Sequence, residues 1–247
     1  MKDIYGLIGY PLKHSFSRSF FNEKFTNEEI HAEYVNFEIP TIKDFLEVTG
    51  TPNLKGLNVT IPYKEQVIPF LDHFDSSAGE VGAVNVIKIV RTKGHMELIG
   101  YNSDVIGFRD SIEPLLKPFM KRALILGTGG ASKAVVYALK QLGVESTFVT
   151  REIEKRGQLK YEDLTQEIMA EHKIIVNTTP VGMYPNSETC PNIPYEYLTK
   201  KHLLFDLIYN PDQTLFMRKG AAQGAEVKNG LEMLLLQAFA SWDIWNS

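Results

Sequence analysis

Residues 56–64 read GLNVTIPYK and set a polar series against an apolar one. Leu57, Val59, Ile61 and Tyr63 are apolar, and Asn58, Thr60, Pro62 and Lys64 fall between them. Alternation with period two is the signature of a strand, whose successive side chains point to opposite faces. One face suits a core, while the other lines up an amide, a hydroxyl and an ammonium. An edge strand with a solvated outer face would give the same pattern. Three further segments favour a site. HSFSRSF places Ser15 and Ser17 two residues apart ahead of a helix, so that both hydroxyls can reach one anion. GAVNVI inserts Asn85 into an apolar strand, where an amide without a partner would be costly. GYNSDVIG offers Asp104 as a helix begins, where an acid also serves the helix dipole. Four polar clusters from separate strand ends describe a pocket for a small polyhydroxylated acid.

A second chemistry is written in ALILGTGGAS. Gly127, Gly129 and Gly130 lie directly between a short apolar strand and a helix. Glycines there let the backbone approach a pyrophosphate, and the helix N-terminus supplies free N–H groups and a positive dipole end. A tight strand-to-helix turn with no ligand would look similar, but the order of strand, glycines and helix favours a dinucleotide. Ser132 stands where that fingerprint has its third Gly or Ala. The next strand, STFVTR, ends in Thr150 and Arg151 where the ribose-reading residue is expected. A guanidinium suits a 2′-phosphate, which favours NADP, although the adjacent Glu152 would favour NAD.

The elements that must position these groups follow a βα rhythm. IYGLIGY, EYVNFEI and GLNVTIP read as strands, with helices over SRSFFNEKF, IKDFLEV and KEQVIPFLDHF. AVNVIKIV and MELIGYN pair as a hairpin across Thr92 to His95, and a helix runs from Asn102 to about Leu116. The rhythm restarts at RALILG and continues through STFVTR, KIIVNTT and LLFDLIY to a long last helix, GLEMLLLQAFASWDIW. Alternation of this kind implies α/β folding with parallel sheets, in two domains. The 247 residues, 44% hydrophobic and 23% charged with net charge −4, are ordinary for a globular protein. No basic run points to nucleic acid, no apolar run reaches membrane length, and the six histidines lack metal-ligand spacing. Cys190 is the only cysteine, so no intramolecular disulfide forms, and a reducing, cytoplasmic setting is expected.

Seven segments together resemble the shikimate dehydrogenase family, also called the shikimate/quinate dehydrogenases. They are HSFS (14–17), NVTIPYK (58–64), GAVN (82–85), NSD (102–104), GTGGAS (127–132), NTTPVGM (177–183) and GLEMLLLQ (230–237), in family order from first strand to last helix. The resemblance implies an N-terminal α/β substrate domain over 1–101, joined by a returning C-terminal helix over 231–247. It implies a Rossmann-type NADP-binding domain over 102–230. The implied activity is NADPH-dependent reduction of 3-dehydroshikimate to shikimate. Ser15 and Ser17, assisted by Tyr209, would hold the substrate carboxylate. Asn58, Thr60, Asn85, Asp104 and Gln237 would bind ring hydroxyls, with Lys64 and Asp104 as the catalytic pair. Gly127, Thr128, Gly129, Gly130, Ala131, Ser132, Thr150 and Arg151 would hold the cofactor, with Thr178, Met183 and Gly230 on its nicotinamide side. No metal is implied, and a monomer or homodimer would serve.

The chain departs from the family pattern in places. Ser103 replaces a Thr and Val105 a Gly; the valine is expected in the core. EIEKRGQLKYEDLT leaves little room for the helix usual after VTR, so Lys155 or Arg156 would supply the second basic residue there. Trp242 and Trp245 near the end of the sequence are expected to pack on the substrate domain, a partner subunit being the other way to cover them. Two other functions share most of these motifs. One is an NAD-preferring quinate/shikimate dehydrogenase, and the other is a catalytically silent NADP-binding regulator, which should have lost Lys64 or Asp104.

Overall fold

A computed structural model describes every residue except Lys13, His14 and Lys93, so His14 of the HSFS segment lies outside the described residues. The chain forms two compact units, Met1–Ser103 with Ala238–Ser247, and Asp104–Gln237.

In the first unit the order is β1 (Asp3–Gly9), α1 (Phe16–Asn27), β2 (Ala32–Glu38), α2 (Phe45–Thr49), β3 (Leu54–Val59), β4 (His73–Phe74), α3 (Ser76–Val81), β5 (Val86–Thr92) and β6 (His95–Tyr101). The sheet order is β2-β1-β3-β5-β6-β4. β1 pairs in parallel with β2 and β3, whereas β3–β5 and β5–β6 are antiparallel, so this sheet is mixed. The expected hairpin is present, with Thr92 opposite His95. Ser15 caps α1 by accepting from the Arg18 N–H, as hydroxyl N-caps do.

The alternation in β3 sends Leu57 and Val59 into a core with Ile8, Phe45 and Ile87 on one face. The opposite face carries a second core built from Tyr5, Phe21, Tyr34, Val86 and Trp245. The face bearing Asn58 is therefore covered by α1 and the end of the last helix rather than by solvent. Trp245 donates from Nε1 to the Ile87 carbonyl at 3.1 Å and lies over Gly56, where any side chain would collide with its ring. Trp242 packs edge-on to Tyr5, with the Lys24 ammonium 5.5 Å from its ring centroid. Both tryptophans are thus accommodated within their own unit.

Two expectations are corrected in this unit. The strand reading of 56–64 ends at Val59, and Thr60 to Tyr63 form a turn closed by the Tyr63 N–H on the Thr60 carbonyl at 2.9 Å. Residues 64–74 do not form an α-helix. They hold a 3₁₀ turn over Ile68–Phe70 followed by β4. Pro69 explains this, since proline lacks an N–H and disfavours helical backbone at the residue before it.

The second unit contains α4 (Ser103–Ile112, from Asp104 onward), β7 (Arg122–Leu126), α5 (Gly130–Gln141), β8 (Glu145–Thr150), β9 (Leu159–Lys160), α6 (Gln166–Glu171), β10 (Ile174–Asn177), β11 (Leu203–Asp206), α7 (Leu215–Ala222), β12 (Glu226–Lys228) and α8 (Leu231–Asn246, up to Gln237). α4 stops four residues short of the expected Leu116 and passes into a 3₁₀ turn containing Pro114. The sheet order is β12-β11-β10-β7-β8-β9, and every pairing is parallel. β7, β10 and β11 are nearly continuous apolar runs because both faces of a parallel sheet are covered. α4 and α8 touch at Gly107, where a Cβ would meet the Met233 carbonyl at 2.7 Å and the Gln237 Cβ at 2.9 Å.

Candidate active site

β3 carries Asn58 and the bend just before β5 carries Asn85, and both enter a buried polar network. The Tyr34 hydroxyl donates to Asn58 Oδ1 at 2.7 Å, and Asn58 Nδ2 donates to the Asn85 carbonyl at 3.3 Å and to Ser241 Oγ at 3.0 Å. Ser103 donates its N–H to Asn85 Oδ1 at 2.7 Å, and Asn85 Nδ2 returns a bond to Ser103 Oγ at 3.1 Å. Ser103 Oγ and Ser241 Oγ lie 3.1 Å apart. Burial pushes the Tyr34 phenol well above its ordinary pKa, and a hydrogen bond from Ser17 works in the opposite direction. Ser17 is thereby tied to the same network as Asn58 and Asn85. Both hydrogens of the Asn58 amide are committed inside the protein, leaving its carbonyl oxygen as the atom with capacity to spare.

Thr60, Lys64, Ser15 and Ser17 are half-buried. The backbone around Lys64 is anchored, because the Val84 N–H donates to the Lys64 carbonyl at 2.8 Å and Tyr63 holds the Ile39 carbonyl at 2.6 Å. Asp104, half-buried, opens the part of α4 that belongs to the second unit. Val105 beside it is buried, as expected. Gln237 donates to the Leu234 carbonyl at 2.9 Å, and Tyr209 is exposed. Tyr34 and Ser241 are functional candidates that the sequence reading does not single out.

In the second unit Gly127 follows β7 with φ +100°, a backbone conformation that favours glycine. A Cβ there would meet Thr179 Cγ2 at 2.8 Å and Thr178 Oγ1 at 3.1 Å. Gly129 is the N-cap of α5 and no side chain caps that helix. A Cβ built on Gly129 or Gly130 would meet nothing within 4 Å. The space beside the helix N-terminus is thus open, and a helix N-terminus there offers N–H donors to an anion, as a pyrophosphate requires. Ser132 is buried, its hydroxyl donating to the Gly129 carbonyl at 2.6 Å, so it shapes the turn from within. Thr128 and Ala131 complete the turn, Thr128 exposed and Ala131 half-buried.

β8 ends in Thr150, whose hydroxyl bonds to the Glu152 backbone at 3.0 Å, followed by Arg151 in the open. Burial pushes the Tyr161 phenol up, and the nearby Arg151 charge pulls in the opposite direction. Residues 151–158 contain no helix, and Lys155 and Arg156 are exposed on this segment. Thr178 donates to the Leu126 carbonyl at 2.7 Å, Met183 is exposed, and Gly230 abuts the Leu207 carbonyl with no room for a side chain. The donor set around Gly129 and Arg151 fits a phosphorylated dinucleotide.

An all-parallel sheet with an uncapped, glycine-framed helix after its first strand is the architecture of a dinucleotide-binding α/β protein. Residues 7–87 match the shikimate dehydrogenase substrate binding domain. The NADP(+) shikimate dehydrogenase of Desulforamulus reducens is 36% identical, over 97% of this chain and 88% of its own. Among solved structures, shikimate dehydrogenase from Aquifex aeolicus is 37% identical with TM-score 0.85, covering 99% of this chain and 92% of that one. Shikimate 5-dehydrogenase from Thermus thermophilus, in complex with NADP(H) and shikimate, is 28% identical with TM-score 0.84 over 98% and 93%. The chain belongs to the shikimate dehydrogenase family.

Proposed function

We propose that this chain reduces 3-dehydroshikimate to shikimate with NADPH, reversibly, in the cytoplasm. The observation that carries the reading is one conjunction. The uncapped, side-chain-free N-terminus of α5 occurs in the same chain as unsubstituted Lys64 and Asp104. The retained pair also speaks against a silent regulator. The single cysteine accords with that setting, and among the described residues no helix is long and apolar enough to cross a membrane.

Ser15 and Ser17 grip the substrate carboxylate, with Tyr209 assisting. Thr60, Asn85, Asp104 and Gln237 read the ring hydroxyls, and Asn58 contributes its carbonyl oxygen while holding Asn85 in register. Bound cofactor supplies the hydride. Reduction places that hydride on the carbonyl carbon and leaves negative charge on oxygen. The Lys64 ammonium stabilises this charge and donates the proton that completes the hydroxyl. Asp104 orients the lysine and the hydroxyl.

Following nicotinamide absorbance with shikimate or quinate, each against NADP⁺ and NAD⁺, tests the reading. The highest kcat/KM is expected for shikimate with NADP⁺. Comparable use of quinate, or preference for NAD⁺, would move the protein to the alternative dehydrogenase. Arg151→Ala should raise KM for NADP⁺ about tenfold and leave KM for NAD⁺ nearly unchanged, because the lost bond goes to the 2′-phosphate alone. Ser15→Ala should raise KM for shikimate by roughly tenfold with little change in kcat, since the carboxylate contact is equal in ground and transition states.

A further inference from the structure

Asp206, at the end of β11, is the one acidic side chain fully buried among the described residues, and the mechanism above makes no use of it. Three donors converge on it. The Thr214 hydroxyl donates to Oδ2 at 2.6 Å, while Asn177 Nδ2 and the Ile208 N–H donate to Oδ1 at 3.0 and 3.1 Å. Each leads to a different segment. Asn177 uses its own carbonyl oxygen to accept from Thr179 N–H at 3.1 Å and Thr179 Oγ1 at 2.7 Å, and its amide also reaches the Val181 carbonyl at 3.3 Å. That fixes the first half of the TTPVGM segment. Ile208 precedes Tyr209, and its carbonyl accepts the Gly230 N–H at 3.0 Å. Thr214 caps α7 by accepting from the Met217 N–H. A buried carboxylate without a cationic partner is costly. Its place at this junction is accounted for by a geometry in which one acceptor group must serve three donors.

We propose that Asp206 is a positioning residue for the nicotinamide half of the cofactor, tying residues 177–181 to residues 207–208 and, through Ile208, to Gly230. This rests on the NADP reading, because it assigns the 178–183 segment to the nicotinamide side. Gly129, Gly130 and Arg151, which would hold the pyrophosphate and adenosine end, are not among the three donors of Asp206 and should be indifferent to it.

The difference between the two ends supplies the test. Binding of NADP⁺ and of 2′-phospho-ADP-ribose, which lacks the nicotinamide, would be measured by calorimetry on the full chain. Asp206→Ala is expected to weaken NADP⁺ at least tenfold and leave 2′-phospho-ADP-ribose within twofold. Asp206→Asn should keep both within twofold, because its oxygen still accepts from Asn177 and Ile208 and its amide can donate to Thr214 Oγ1. If the alanine variant does not fold, Thr214→Val removes one of the three donors and should weaken NADP⁺ alone, about threefold. Equal loss of both probes in the alanine variant, or in Thr214→Val where it stands in, would mean general disruption and overturn the proposal; loss of neither would also overturn it. Failure of the unsubstituted protein to bind either probe would instead overturn the cofactor reading, and the inference with it.

Discussion

Lys64→Ala is expected to lower kcat by ~10² or more while leaving KM for shikimate within a few-fold. The size follows from what alanine removes. A general acid contributes typically 10²–10⁴-fold, and a positive charge at a developing alkoxide adds electrostatic stabilisation that the ground-state ketone does not enjoy. The backbone gives the substitution a clean background. Tyr63 and Val84 hold residue 64 through bonds that do not involve the ammonium. The side chain is only half-buried, so stability should change by no more than about 0.5 kcal/mol. Lys64→Arg separates the two contributions, because a guanidinium keeps the charge but does not release its proton in this pH range. If donation dominates, arginine should restore little of the lost rate. Steady-state kinetics with purified variants decides the matter, and near wild-type kcat for the alanine variant would remove Lys64 from the chemistry.

What could be read in the sequence was mostly what is local. The glycine turn was legible because strand, glycines and helix follow one another within a few residues, and Gly127 adopts the positive φ that such a turn needs. The hairpin at Thr92 and His95 was legible for the same reason. Residues 64–74 were misread because their apolar spacing mimics a helix while Pro69 blocks one. The polar face of β3 shows a different kind of difficulty. Alternation marks Asn58 as facing away from Leu57, but only tertiary packing says that α1 and α8 cover it. Ser241, which accepts from Asn58 across 183 residues of sequence, leaves no periodic trace in the helix that carries it. Asp206 did leave a trace. It is an acid closing the run LLFD, and the argument that makes Asn85 suspicious in an apolar strand applies to it with greater force.

That burial gives a pH dependence whose sign runs against the usual behaviour of paired carboxylates. Burial raises the Asp206 pKa to about 6 from an ordinary 3.8, against the opposing pull of Thr214, Ile208 and Asn177. The folded protein therefore holds this proton over a pH range in which the unfolded chain has released it. Stability from this group is fully present below about pH 4 and is lost as pH rises through about 6, a difference of about 3 kcal/mol at 1.36 kcal/mol per unit. Tyr195, whose own pKa Asp206 helps to raise, is the one titratable neighbour with a resolved coupling to it among the described residues. It stays neutral throughout this window. His202, immediately before the same strand, works the other way. Burial lowers its pKa, so its contribution is present above its ordinary value of 6.5 and fades as pH falls through the lowered one. Four residues along an extended strand separate the two by roughly 13 Å, far enough for their effects to add. Denaturant unfolding of wild type and Asp206→Asn at matched pH isolates the acid. At pH 8 the variant should be more stable by up to ~3 kcal/mol, since asparagine keeps hydrogen-bonding capacity without a charge to bury. At pH 4 the two should nearly coincide. A variant less stable than wild type at pH 8 would mean that the ionised carboxylate is worth more to its three donors than its desolvation costs.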